Sequence, residues 1–144
     1  PVDPSRYRSP VWGDVRVSMA GIVSNLGLTV ICVVAAIVIL KAEALAGGTF
    51  GVVGDLALLG LQYGIIINLL LAFFNLIPIP PLDGSHVVYH MLPHGIRDRY
   101  RELGRYGLLI LMGLLFLVPQ AFRVMLWPVF YFQGLADSFI RLWI

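Results

Sequence analysis

Asp83, His86, His90 and His94 crowd into twelve residues of a chain that is otherwise mostly apolar. The spacing D-x-x-H-x-x-x-H can place one carboxylate and two imidazoles on a single helical face, the donor types of a zinc site. Pro93 ends that helix before His94, because proline lacks the amide proton and clashes with the preceding turn. Asp83 also has a simpler use. Followed by Gly84, Ser85 and a short apolar run, it stands where an N-cap belongs. Spacing alone serves capping and metal or acid–base chemistry equally well. The chain contains no H-E-x-x-H, no C-x-x-C, no nucleophile elbow and no phosphate-cradling glycine loop.

The elements that must position these groups begin with a backbone break. Phe73 to Gly84 (FFNLIPIPPLDG) closes a long apolar run, sets three prolines within four residues, and then presents Asp83. Helix cannot continue through such a segment. Unwound backbone at membrane depth is tolerated only where protein buries it or water reaches it. An ionisable group at the break is therefore a candidate functional residue.

Composition sets the surroundings. The chain has 144 residues, of which 59% are hydrophobic and 12% charged, and its mean hydropathy is +0.88. Soluble domains carry about 25% charged residues, so a membrane protein is expected. The fold class expected is all-α: a single transmembrane domain over residues 1–144, built as a multi-pass helix bundle. Nucleic acid is excluded as a partner, for no basic patch is interleaved with aromatics. Cys32 is the sole cysteine, so no intramolecular disulfide exists.

Pro1 to Ser18, with three prolines and three arginines, is expected to be an irregular interfacial segment. Met19 to Leu40 and Leu56 to Ile77 are uncharged runs of 22 residues, each enough for one span. Each bears a stripe of small or polar residues at helical spacing: Gly21, Asn25, Thr29, Cys32 and Ala36 on the first, Gly60, Gly64, Asn68 and Ala72 on the second. Such stripes let helices approach closely, and a hairpin with the stripes facing each other is expected. Lys41 to Asp55 is the predicted connector. Ser85 to Leu92 is predicted as a short helix, His94 to Arg105 as a basic loop, and Tyr106 to Phe122 as a third span. Arg123 to Ile144, rich in aromatics, is expected at the interface, with a fourth, broken span as the alternative. The side holding Pro1–Ser18 and Pro93–Arg105 carries seven arginines against three basic residues on the other. The positive-inside rule places that side, and Asp83 with it, toward the cytoplasm.

The run Asn75-x-x-Pro78-x-x-Pro81-Leu82-Asp83-Gly84 resembles the N-x-x-P-x-x-P-L-D-G signature of the site-2 protease family of intramembrane zinc metalloproteases. Ala20 to Asn25 (AGIVSN) is similar to that family's A-G-P-x-x-N element, with Ile22 in place of proline. PVDPSRYRSP at the start and RYRELGRYGL from Arg99 to Leu108 resemble its short bacterial and archaeal members, so the likeness extends over essentially the whole chain. The resemblance implies Zn2+ as cofactor, Asp83 as a metal ligand and Asn25 as the residue that binds substrate backbone or the developing oxyanion. Asn75, Pro78 and Pro81 would belong to the substrate-binding break. In the family the remaining ligands and the general base come from H-E-x-x-H on an earlier transmembrane helix, expected here before Pro1. The family often carries arginine or another polar residue at the position of His86, so His86 and His90 stand outside its ligand set and remain only as the self-contained alternative. The function implied is the C-terminal part of an intramembrane metalloprotease acting on transmembrane protein substrates within the lipid bilayer. Two alternatives from other classes stand beside it: a non-catalytic relative that binds membrane partners, and a small transport or channel subunit with the break as an ion site.

Overall fold

The computed structural model describes residues 10–143. Every regular element among them is helical: α1 (Pro10–Leu45), α2 (Gly51–Asn75), α3 (Gly84–Met91), α4 (His94–Leu103), α5 (Gly107–Leu117), α6 (Pro119–Met125) and α7 (Trp127–Arg141). The chain divides into two compact units. One comprises residues 10–23 and 72–126, the other 24–71 and 127–143.

The second unit holds the helical hairpin. α1 has 36 residues, about 54 Å of helix, and α2 has 25. Both are long and apolar enough to cross a membrane, and only 22% and 17% of their apolar windows are buried inside the protein. A core helix of a soluble protein would be mostly covered, so these faces suit lipid. The two small-residue stripes do meet: a Cβ on Gly64 would stand 2.9 Å from Cys32 Sγ. Thr29, Val33, Ala36, Ile65 and Leu69 are buried along the seam. Two polar stripe residues satisfy themselves locally, Thr29 Oγ1 donating to Asn25 O (3.0 Å) and Asn68 Nδ2 to Gly64 O (2.8 Å). The connector is shorter than predicted, residues 46–50, because Lys41–Leu45 and Gly51–Asp55 are already helical. Gly47, Gly48 and Gly51 take positive φ there, where a side chain would be strained. α7 belongs to the same unit, with Lys41 Nζ 4.5 Å above the Trp143 ring.

The first unit holds the break and differs from expectation in three places. Residues 10–18 are part of α1 rather than an irregular segment, since no proline follows Pro10 in that run to bar a helix; Pro1–Ser9 lie outside the described residues. The predicted basic loop is α4, entered through Pro93 in extended backbone. The predicted third span is two helices, α5 and α6, of 11 and 7 residues. Pro119 explains that interruption: it cannot donate to the preceding turn, and Val118 before it leaves helical geometry at φ −133°, ψ 61°. Ile77, Leu82 and Leu111 form the buried cluster of this unit, with Phe74, Ile79 and Met125 packed against it.

Candidate functional site at the proline break

The break is built by backbone fitting tightly against backbone. After Asn75 ends α2, short turns carry the chain through Ile77, Ile79 and Leu82, each amide donating to a carbonyl two or three residues back. The Pro80–Pro81 peptide is cis. A Cβ on Gly107 would overlap the Pro80 carbonyl oxygen, and one on Gly104 would come within 3.3 Å of Pro80 Cβ. A Cβ on Gly84 would collide with the carbonyl oxygen of Leu76 and approach that of Asn75 to 3.0 Å. Glycine after Asp83 is thus required by the close packing of α3 onto the end of α2. Tyr100 of α4 closes the other side, its hydroxyl donating to Pro78 O at 2.9 Å. Partial burial pushes that hydroxyl's pKa above the usual phenol value.

Asp83 stands at the N-cap position of α3 but makes no capping hydrogen bond, and its backbone is already helical at φ −59°, ψ −36°. Its carboxylate is half-buried and has no hydrogen-bond or ion-pair partner among the described residues. Oδ2 lies 3.5 Å from where a Cβ on Gly21 of α1 would sit, so the bare backbone of Gly21 makes room for it. A half-buried carboxylate with unoccupied lone pairs is a competent hard-oxygen donor for zinc. It is one donor where a catalytic site takes three.

The two histidines face elsewhere. His86 Nδ1 and His90 Nε2 approach the same oxygen, Asp14 Oδ2, at 2.9 and 3.1 Å. A carboxylate only accepts, so both ring nitrogens are the protonated ones. No group of three His, Cys, Asp or Glu side chains among the described residues is arranged to hold a metal ion. Arg97 of α4 completes the frame: Nε and Nη2 donate to Leu92 O and His90 O, taking up carbonyls at the end of α3. Between these elements lies a cavity of about 490 Å³, walled by Asp14, Pro80, Pro81, His86, Tyr89 and Tyr100 among others.

Of the residues singled out in the sequence, Pro81, His86 and His90 line this cavity. Pro78 is exposed, with its carbonyl taken by Tyr100, and Asn75 is the last residue of α2. Asn25 lies in the other compact unit, one helical turn beyond Gly21, half-buried and without a side-chain hydrogen bond among the described residues. Asp14 and Tyr100 were not legible as site residues. Asp14 sits alone in a polar segment, and its partners are 72 and 76 positions away. Tyr100 carries a faint signal, since Ile96, Tyr100 and Leu103 recur at helical spacing within the arginine-rich stretch.

Comparison with known proteins gives these residues a setting. The model of peptidase family M50 matches residues 53–118, a region that contains the break and Asp83. The protein named "Putative zinc metalloprotease YwhC" of Bacillus subtilis (strain 168) is 33% identical over 145 residues, covering 99% of this chain. The chain spans 62% of that relative's length. No solved structure matches it. Both matches point the same way: over a region that holds the break and Asp83, the chain is similar to peptidase family M50.

Proposed function

We propose that this chain is part of an intramembrane zinc metalloprotease that hydrolyses peptide bonds of transmembrane substrates, with Asp83 as one zinc ligand. The observation that carries the reading is the Asp83 carboxylate: set at a helix N-terminus it does not cap, unpartnered among the described residues, and given room by Gly21. An unpaired carboxylate in or near a bilayer costs about 2.5–3.5 kcal/mol at the membrane centre on insertion scales, and a bound cation offsets that cost. Zinc, when bound, supplies Lewis acidity toward the scissile carbonyl. The chain's own residues bind and orient. Asp83 would hold the metal through a carboxylate oxygen, and the Asn25 amide would meet substrate backbone or the developing oxyanion. The Pro78–Pro81 break would admit water and an unwound substrate segment beside Asp83.

The membrane setting is supported by α1 and α2, whose apolar surfaces are mostly uncovered. Arg97, Arg99, Arg101 and Arg105 follow α3 closely, so the positive-inside rule supports a cytoplasmic position for the break. The test is cleavage of a transmembrane reporter by the full-length protein in liposomes. Cleavage that stops when zinc is stripped and returns when zinc is restored is the expected result. Full zinc occupancy with an intact reporter would make the protein a non-catalytic relative, and ion conduction without zinc would make it a channel subunit.

A further inference from the structure

Two places on α1 touch the segment that bears Asp83. Gly21 lies against the Asp83 carboxylate, and Asp14 accepts hydrogen bonds from His86 and His90. Seven residues separate Asp14 from Gly21, which is about two turns and 10.5 Å along one face of a helix. Ser18 and Ile22, buried at 6% and 2% exposure, lie on or beside that face. The first turns of α1 therefore form a rail along which Asp83 and α3 are seated.

α3 cannot supply its own rigidity. It has eight residues, two turns, and isolated helices shorter than about 12–15 residues are marginal in water. Its orientation must come from what holds it. Gly84 seats its start on the Asn75 and Leu76 carbonyls, and Arg97 ties its end. Asp14 is the lateral hold, gripping two consecutive turns through one oxygen. The His90 contact is the better shielded: its side chain is 15% exposed, against 44% for His86. Nδ1 of His90 is buried with no partner, so the ring's hydrogen bonding among the described residues rests on Asp14.

Asp83 is the residue immediately before α3, and no side-chain hydrogen bond among the described residues fixes its carboxylate. The direction of that carboxylate is then set by the backbone at the start of α3 and by the wall at Gly21. We infer that Asp14 is a positioning residue for Asp83: by holding His86 and His90 it fixes α3 against α1, and so fixes where the carboxylate meets a metal. This rests on the zinc-ligand reading of Asp83. Metal sites require donors within about 0.2 Å of their ideal distances, and removing a group that orients a ligand typically costs 10–100-fold in affinity or activity.

The test is made in the full-length protein. Zinc affinity is measured by competition with a chelator well below the thermal midpoint, and the cobalt-substituted protein gives the visible absorption of its site. Asp14→Ala should weaken zinc binding by about 10-fold or more and alter the cobalt spectrum. Asp14→Asn, which keeps an acceptor oxygen in place, should recover most of the affinity and the parent spectrum. Should Asp14→Ala not accumulate, the double variant His86→Ala, His90→Ala removes the same bonds and is read the same way. Parent affinity and spectrum in the bond-deleting variant, alongside zinc loss in Asp83→Asn, would overturn the positioning role and leave the ligand reading standing. Undiminished zinc in Asp83→Asn would overturn the ligand reading, and the positioning role with it.

Discussion

The two compact units use the same residue type in opposite ways. In the hairpin unit a Cβ on Gly60 would meet nothing within 4 Å, and the closest stripe contact, Gly64, is to a side-chain sulfur. In the break unit Gly84 and Gly107 stand against backbone carbonyls with no room for any side chain. A hairpin of two long apolar helices needs only small residues along a seam and apolar ones elsewhere, so many sequences satisfy it. The break must place one carboxylate on an unwound chain, and it does so by interlocking main chain, which few sequences satisfy. Tolerance to substitution at these glycines should therefore follow whether main chain, a side chain or nothing stands in the way.

The largest effect that would expose this difference is at Gly107 and Gly84. Either alanine substitution forces carbonyl-bearing backbone to move, an overpacking cost of about 1–3 kcal/mol or more. The thermal midpoint in detergent should fall steeply for both. An unchanged midpoint for Gly107→Ala would mean that α5 does not press on Pro80 as described. Gly64→Ala should have a smaller effect, because the atom in its way is Cys32 Sγ, which can rotate. Adding Cys32→Ala should recover the loss, and failure to do so would place the Gly64 constraint elsewhere than the seam. Gly60→Ala should be the mildest, neutral or slightly stabilising, since alanine favours helix over glycine by about 0.8–1.0 kcal/mol.

The division also governs what the sequence made legible. Periodicity and composition suffice for the hairpin: the two apolar runs and their stripes match α1 and α2, and Cys32 meets Gly64 as facing stripes require. The position of the break was equally plain, for Pro78, Pro80 and Pro81 forbid a helix. Its interior was not. Asp14 pairs with residues more than seventy positions away, a relation that no local pattern carries. α4 was hidden by its charges, although Ile96, Tyr100 and Leu103 marked one apolar face. The interruption between α5 and α6 has a local signal, Pro119, inside a run that hydropathy alone reads as one span. Tertiary pairing, rather than local propensity, decides the Asp14 contacts that hold α3.

The central claim is that Asp83 serves a metal rather than a helix end, and Asp83→Asn tests it most directly. Asparagine caps a helix about as well as aspartate, and here the carboxylate makes no capping bond to lose. A neutral amide is a far poorer zinc donor, since ligands to this ion bind in their deprotonated form. Zinc content and reporter cleavage are to be measured on the full-length variant after its insertion and thermal midpoint have been matched to the parent. The account predicts a folded, membrane-inserted protein that has lost most of its zinc and nearly all of its cleavage. Parent-rate cleavage with full zinc content would contradict it and return Asp83 to a structural role.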